Sequence, residues 1–529
     1  MDCRVDRHRP ALAPKQPGRL LAVLPLLFVS YLFVYPMVRI VWIGLNWETG
    51  RTVIDSLTSP TVTSAAWFTL WQAAASTALT LLIGIPTAWA VTRSAPRSAR
   101  WFMSLSIIPF ALPTVVVGVA FLHLLGPAGP FNIDLRRSVP AILIAHVFYN
   151  VPLVVRVVGT RWLQLSSDLE EAAGSLGAGR FRQFLSVTLP RLLPSLTAAG
   201  SLVFLLTFTA FGTVLILGGL RYRTLEVEIW RNATQTLDLK TASVLALLQL
   251  IGVAVLLSWN SRTGRKFGSI GDISYGQRSP SRWASLWLSV VSVGLIVPML
   301  SLLVSSVRTS EGWGLQSFAT LLSGDALGIT GGAAVLTSLS YALAATLIAV
   351  FIGSIASWTI AGSGPAAKTF DTVLMLPLGT SAVTIGLGFL VALDWPIDLR
   401  GTQLLVPLAH ALVAIPFVTQ TMTPVLRSID PSLREAATSL GASPREVFWT
   451  VDWPIVRKGL RVGAGFAFVI SLGEFGATSF IARPATPTMP LLIYRALSRP
   501  GTASLAAAGS VLLLAVTATV LILLERDRR

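Results

Sequence analysis

Few side chains in this 529-residue chain have types and spacings that suit chemistry. The lysines are Lys15, Lys240, Lys266, Lys368 and Lys458, and none follows a glycine. The Gly-Lys-Ser/Thr end of a phosphate-cradling loop is therefore missing, and any nucleotide-driven step must be fuelled by another polypeptide. His8, His123, His146 and His410 are scattered without the spacing of metal ligands. No Ser/His/Asp set and no carboxylate pair stands out, so covalent catalysis is not expected. The lone cysteine, Cys3, excludes an internal disulfide. Glu474 is different. It sits in an apolar run, within Ser471-Leu472-Gly473-Glu474-Phe475-Gly476-Ala477-Thr478. An ionisable group at membrane depth is costly and normally faces a cavity or a partner. Two readings stay open: it lines a translocation pathway or its gate, or it makes a structural hydrogen bond or pairs with an arginine.

Such residues need positioning, and composition says by what. The chain is 53% hydrophobic and 12% charged, against about 25% charged in soluble domains. The net charge of +17 is spread as short Lys/Arg clusters between apolar runs. That pattern fits membrane topology signals and argues against a nucleic-acid partner. Crossing a ~30 Å hydrocarbon core takes roughly 20 helical residues. Twelve runs qualify, near 20–45, 64–92, 101–125, 139–160, 195–219, 239–260, 284–307, 332–361, 371–394, 403–424, 459–482 and 502–525. Asn150, Pro152 and Pro416 interrupt runs four and ten. The first run is too long for a signal-peptide core and reads as a retained helix.

Basic residues set orientation. Arg4, Arg7, Arg9, Lys15 and Arg19, then Arg93, Arg97 and Arg100, then Arg262, Arg265 and Lys266, and finally Arg526, Arg528 and Arg529 fall on one side if both termini are cytoplasmic. The expectation is an all-α, multi-pass plasma-membrane protein with about 12 transmembrane helices.

An internal repeat divides it. Glu171-Ala172-Ala173-Gly174-Ser175-Leu176-Gly177-Ala178 recurs 264 positions later as Glu435-Ala436-Ala437-Thr438-Ser439-Leu440-Gly441-Ala442. The same offset maps Pro152 to Pro416, Pro190 to Pro454, Phe211-Gly212 to Phe475-Gly476, and Ile229-Trp230-Arg231 to Ile493-Tyr494-Arg495. It pairs Glu474 with Ala210. Gly118 pairs with Gly386 at 268, so a short indel separates the halves upstream. Six spans per half make a parallel repeat about an axis along the membrane normal. The expected layout is an N-terminal tail 1–19, a first half 20–261 with a loop at about 161–194, and a linker 262–283. A second half 284–525 follows, with a loop at about 425–458 and a tail 526–529.

Each loop reads as a cytoplasmic helix–turn–helix. Asp168 and Asp430 are N-cap signals before Leu/Glu/Ala runs, Gly177 and Gly441 suit a helix end with positive φ, and Pro190 and Pro454 mark the return to the membrane. Loops of the form EAA…G…LP resemble those of permease subunits of bacterial binding-protein-dependent ABC importers, and the resemblance covers nearly the whole chain. It implies the type I importer permease fold, with each loop seated in a groove of one of two ATPase subunits. Glu171, Ala172, Ala173, Gly177 and Pro190, and Glu435, Ala436, Ala437, Gly441 and Pro454, would form the ATPase contacts. The second copy departs from the pattern, with Asp452-Trp453-Pro454 where the first has Thr188-Leu189-Pro190, so the two contacts need not be equal. The resemblance further implies an extracytoplasmic substrate-binding protein, no cofactor on this chain, and ATP with Mg on the ATPase.

Phe211, Phe475 and Glu474 are candidates for the pathway or gate. The segments Thr224–Arg231 and Thr488–Arg495 read as outer-face amphipathic helices, with Trp230 and Tyr494 as interfacial anchors. One chain supplying both halves is similar to permeases of ferric-iron and thiamine importers. Phe211–Leu215, Leu217-Gly218-Gly219, Thr224-Leu225-Glu226, Ile229-Trp230 and Pro490–Tyr494 lean towards the thiamine type, whereas SLGEFGAT at Ser471–Thr478 also resembles molybdate and sulfate permeases. Thiamine or a related organic cation ranks first, ferric iron second, an oxyanion third. The rival class is a secondary transporter of two parallel six-helix repeats, which needs several deep ionisable residues where only Glu474 is evident.

Overall fold

The computed structural model describes residues 19–46, 53–127, 129–165, 168–219, 221–262, 281–309, 312–323, 328–362 and 365–526. Cys3, His8, Arg4, Arg7, Arg9, Lys15, Arg265, Lys266, Arg528 and Arg529 lie outside the described residues. Apart from one two-residue strand pair, Arg308–Thr309 with Gly312–Trp313, the regular structure described is helical.

Nine helices among the described residues are long and apolar enough to cross a bilayer: Val23–Leu45, Pro60–Thr92, Val139–Leu163, Arg180–Phe208, Leu239–Ser258, Arg282–Val307, Gly331–Ala361, Leu405–Arg427 and Ala503–Leu523. Counting each bent pair as one span gives up to 11 among the described residues, against the about 12 expected. Runs 101–125 and 371–394 are broken pairs: Pro96–Pro109 with Thr114–Leu124, bent by 102°, and Ala367–Gly379 with Ala382–Ala392, bent by 96°. Leu112, held extended ahead of Pro113, makes the first corner. Extended Thr380 makes the second, and the Ser381 hydroxyl caps the next helix by accepting from the Thr384 N–H at 3.0 Å. Runs 195–219 and 459–482 also stop short, their long helices ending at Phe208 and Gly473. The helix Trp453–Gly473 is 21 residues long and carries Arg457, Lys458 and Arg461 near its start. Runs four and ten, by contrast, are unbroken despite Pro152 and Pro416. They are the most enclosed of the nine, 67% and 72% buried, where neighbours can satisfy a carbonyl freed by proline.

The helices are built with small residues inward. In Pro60–Thr92 the buried positions include Ala65, Thr69, Ala73, Ser76, Thr80, Gly84 and Thr87, at helical spacing. Trp67, Leu70, Trp71 and Leu82 are exposed on the other side. Gly331–Ala361 repeats this, with Ala334, Ser338, Ala342, Ala345, Ala349 and Gly353 inside and Leu336, Leu347 and Phe351 outside. Lipid removes the hydrophobic drive between helices, so close van der Waals packing of small residues holds them together. Each half thus has a three-helix core: Pro60–Thr92 on Val139–Leu163 and Leu189–Phe208, and Gly331–Ala361 on Leu405–Arg427 and Trp453–Gly473.

The first helix of each half reaches across. Arg19–Val29 packs on Gly331–Ala361, and Tyr35–Leu45 on Ala382–Ala392. Arg282–Val307 packs on Pro60–Thr92 and Thr114–Leu124, where the Trp287 indole donates to the Thr87 hydroxyl at 3.0 Å. One crossing recurs in both cores. A Cβ on Gly84 would lie 2.6 Å from Val154 Cγ1, and a Cβ on Gly353 would lie 2.9 Å from Val418. Gly463, of the Gly-Ala-Gly-Phe stretch, lies against Thr421 and Val418 in the same manner.

Gly84→Val and Gly353→Val are therefore expected to cost about 1–3 kcal/mol each through overpacking. Val154→Ala in the first background and Val418→Ala in the second should recover most of that. Thermal unfolding of the detergent-purified singles and doubles, followed by intrinsic fluorescence, checks this.

Candidate functional site

The two polar hairpins are built alike, residue for residue. The first has a helix Asp168–Ser175, a turn, a short helix Arg180–Gln183 and a wide π turn Phe184–Thr188 that runs into the membrane helix Leu189–Phe208. The second has Pro431–Ser439, Pro444–Val447, a π turn Phe448–Asp452 and Trp453–Gly473. Gly177 and Gly441 have φ of +82° and +87°, which L side chains avoid. Each closes its helix with the same bond pair: Ala178 N–H to Ala173 C=O with Gly177 N–H to Gly174 C=O, and Ala442 N–H to Ala437 C=O with Gly441 N–H to Thr438 C=O. This is the Schellman ending, and it satisfies carbonyls the helix leaves free. Asp430 accepts from the Ser432 N–H at 2.9 Å. Ser443 and Glu446 form a reciprocal capping box, and hydrogen bonds from the Ser443 N–H and hydroxyl hold the Glu446 carboxyl below its ordinary pKa.

Glu171, Ala172 and Gly177 are exposed and Ala173 is half-buried; Glu435, Ala436, Gly441 and Ala437 follow the same pattern. Pro190 is exposed and Pro454 half-buried. Leu176 and Leu440, one residue before the glycines, are each 89% exposed, the two most exposed large apolar side chains among the described residues. Two apolar knobs on polar hairpins form a surface suited to a partner.

Side chains that sequence reading passed over tie the hairpins down. In the first, Glu170 accepts from the Thr188 hydroxyl at 2.8 Å and pairs with Arg93 at 3.2 Å. In the second, Arg434 stands at the position of Glu170 and Asp452 at that of Thr188, and they pair at 2.8 Å. The departure at Asp452 is thus one end of an ion pair whose other end also changed. Phe184 stacks on Trp162 and Phe448 lies against Trp358, fixing each π turn to the membrane bundle. The Arg93 carbonyl also accepts from the Ser281 N–H at 2.7 Å, so the first hairpin is linked through Arg93 to the start of the other half.

Deeper in the membrane both long helices break at equivalent points. Leu189–Phe208 is followed by Gly212–Gly218, and Trp453–Gly473 by Thr478–Ile481. Freed backbone groups there must find partners, since lipid supplies none. In the first half, Gln72 Nε2 donates to the Thr207 carbonyl at 2.7 Å and the Thr224 hydroxyl to the Ala210 carbonyl at 3.4 Å. In the second, the buried Glu474 carboxylate accepts from the N–H groups of Ala477 and Thr478, both at 3.1 Å, and from the Thr478 hydroxyl at 2.9 Å. His410 Nε2 lies 3.5 Å from the same carboxylate, and its Nδ1 hydrogen-bonds with Ser471 at 2.7 Å. His146, at the matching position, hydrogen-bonds with Ser76 at 2.9 Å. The histidines that looked scattered include a pair 264 positions apart, a signal the repeat carried.

Phe211 and Phe475 stand at the two breaks and stack on each other, centroids 5.4 Å apart and planes at 18°. Trp230 is buried and Tyr494 half-buried, and their rings turn to each other and to the two phenylalanines. The helices that carry them, Leu225–Thr234 and Met489–Leu497, are largely buried. Their first N–H groups are held alike, Leu225 to the Thr69 hydroxyl at 2.9 Å and Met489 to the Ser338 hydroxyl at 2.7 Å.

Arg434→Ala and Asp452→Ala should each destabilise the second hairpin by about 1–3 kcal/mol, because each leaves a half-buried charge without its partner. The double variant should cost no more than the worse single. A double-mutant cycle on thermal unfolding measures the coupling, and strict additivity would remove the clamp.

Comparison with known proteins agrees with this architecture. Residues 80–262 match the family described as binding-protein-dependent transport system inner membrane component. The chain is 29% identical over 484 residues to the thiamine transport system permease protein ThiP of Brucella abortus (strain 2308), covering 87% of this chain and 86% of that one. It is 25% identical over 451 residues to ThiP of Escherichia coli (strain K12), covering 81% and 82%. The putrescine transport system permease protein PotI of Escherichia coli (strain K12) is 31% identical over 232 residues, 41% of this chain and 80% of PotI. With two polar hairpins set on an apolar helical bundle and no phosphate-binding loop of its own, the chain belongs to the binding-protein-dependent transport system inner membrane components, as a fused permease of an ABC importer.

Proposed function

We propose that this chain is the membrane subunit of a thiamine importer. The observation that carries the reading is the likeness to thiamine permeases along 484 aligned residues, a stretch long enough to take in both halves and both hairpins. In this reading an extracytoplasmic binding protein delivers the solute to the outer face. Two ATPase subunits, which carry ATP and Mg, sit beneath the hairpins, and both termini lie in the cytoplasm. Glu171 and Glu435 engage the ATPases, Gly177 and Gly441 keep the turns tight, and Leu176 and Leu440 enter apolar hollows in the partners.

The mechanism is alternating access. Closure of the ATPases on ATP moves the hairpins. The π turns pass that motion to Leu189–Phe208 and Trp453–Gly473, whose far ends carry Phe211 and Phe475. Separation of those rings opens the pathway outward, and hydrolysis resets it. Glu474 belongs to this gate as its support: by holding two N–H groups of the broken helix it fixes where Phe475 stands. The permease itself breaks no covalent bond. The two engines need not grip equally. The first hairpin is tied through Arg93 to a neighbouring loop, whereas the second is tied within itself.

Uptake of labelled thiamine, dependent on ATP, by cells that carry this chain with its ATPase and binding protein is the direct measurement. Glu171→Lys with Glu435→Lys should lower both ATPase copurification and uptake by about tenfold or more, since each reversal replaces a favourable contact with a like-charge or unpaired one. Each single reversal should retain part of the activity, to unequal degrees. Normal copurification and uptake in the double reversal would sink the coupling role.

A further inference from the structure

The gate holds more than two phenylalanines. Phe211 lies 6.1 Å from Trp230 and 5.4 Å from Phe475, Phe475 lies 5.4 Å from Tyr494, and Tyr494 closes the circuit on Trp230 at 6.0 Å, edge to face. Phe211 and Trp230 come from the first half, Phe475 and Tyr494 from the equivalent positions of the second. The four rings therefore straddle the junction of the halves. All centroid distances fall within the range of attractive aromatic pairs.

The place is as telling as the composition. Two helices break there, and broken helices at membrane depth mark binding sites in transporters because they bring irregular backbone to a cavity. Phe211 follows the end of the 20-residue helix Leu189–Phe208, which rises about 30 Å from the polar hairpin, so the rings lie towards the side away from the hairpins. Trp230 is 8% exposed, and among the described residues its indole N–H has no acceptor. An unmet buried donor is costly, and an acceptor on a passing solute would meet it.

Ring faces are electron-rich, and those of four rings, covered here by one another, would favour an organic cation that sheds its water cheaply once the rings part. An oxyanion would find the Trp230 N–H as a single donor, where it needs several N–H or guanidinium donors, and electron-rich ring faces repel its charge. The ring faces offer nothing to a hard metal ion, which needs oxygen ligands. The charged groups nearest in sequence are already engaged: Glu474 by backbone N–H groups, Glu228 by Arg223 and Arg231 at 2.8 and 3.3 Å, Glu226 by Gln249, and Arg495 by the Pro484 carbonyl at 3.1 Å.

We infer that Phe211, Trp230, Phe475 and Tyr494 form a transit site for a planar organic cation: they plug the pathway by stacking on one another at rest, and stack on the solute when the halves part. The inference rests on the importer reading above and adds to it the site and the physical basis of selection. It also separates the three solute classes, because only an organic cation gains from ring faces.

The test uses the assembled importer in proteoliposomes: full chain, its ATPase and its binding protein, with labelled thiamine as probe. Phe211→Leu with Phe475→Leu, and Trp230→Leu alone, keep apolar bulk and remove ring faces. Uptake should fall about five- to thirty-fold, the worth of a desolvated cation–π contact, while stimulation of the ATPase by loaded binding protein stays within about twofold. Trp230→Phe and Tyr494→Phe should fall less than the leucine variants. Fluorotryptophan in place of tryptophan weakens the ring face at nearly constant shape; it should slow uptake by the unsubstituted chain and leave the Trp230→Phe variant at its own level.

The inference is overturned if the leucine variants import normally. It is overturned equally if ring-keeping and ring-removing variants fall together along with ATPase stimulation, which would mark a packing role alone. Should the unsubstituted chain import no thiamine, the thiamine reading falls first. The solute extracted from the binding protein then decides: an oxyanion or a metal ion removes the transit site, and another organic cation goes through the same variants with the same expectations.

Discussion

Hydrocarbon offers no hydrogen bonds to a polypeptide backbone, and much of this structure follows from that one fact. A helix satisfies itself and can face lipid directly, so wherever the chain stops being helical at membrane depth the protein must supply what water would. The chain leaves helix at 209–211 and 474–477 inside the bilayer, and bends sharply near 112–113 and 380. The surrounding elements can be understood as the means of enclosing those points. Gln72 reaches from one helix to the carbonyl of Thr207 on another, and Glu474 folds back on the N–H groups that follow it. The exchange of first helices between halves adds cover. In such a setting a buried carboxylate gains from its contacts with N–H groups what it loses in hydration.

The halves solve the same problem with different side chains. Where the first uses Gln72 and Thr224 around its break, the second uses Glu474, Thr478 and His410. Where the first holds its hairpin with Glu170, Thr188 and Arg93, the second has Arg434 in place of Glu170 and Asp452 in place of Thr188, joined as an ion pair. What stays constant is backbone geometry: the positive-φ glycine, the π turn, the helix break, the glycine–valine crossing. Two copies of one chain path therefore keep a common mechanical design, while the strength with which each hairpin is held is free to differ.

That arrangement makes the hairpins stiff where stiffness helps. Each hairpin is closed by a Schellman pair, fixed by an ion pair and packed on a tryptophan, so little of it is free to shift relative to the helix it enters. The π turn between them is the irregular segment in that line, as is common at functional places in helices. The far end of the same helix carries the phenylalanine at the junction. A continuous line of packed elements thus leads from each hairpin to the aromatic cluster, in duplicate.

Composition, the length of the apolar runs and the repeat at 264 positions were enough to read a helical membrane protein with two polar hairpins, because those are properties of local sequence: apolar length, helix caps, glycine at a helix end. Lost to that reading were the interruptions. Pro152 and Pro416 looked like breaks and are not, since enclosed neighbours tolerate them; Thr209–Phe211 and Glu474–Ala477 looked continuous and are not. Trp230 and Tyr494 read as lipid-interface anchors because an aromatic at the end of an amphipathic run has that preference by itself. Only packing of the two halves shows that they face each other across the junction. Glu170 with Thr188 and Arg434 with Asp452 escaped notice for the same reason: an ion pair is defined by distance in space, and residues 18 positions apart come within reach only after the hairpin has folded. Sequence determined which segments enter the membrane and which stay outside; tertiary structure decided which side chains meet, since buried polar and aromatic groups take their partners from elements that local sequence does not join.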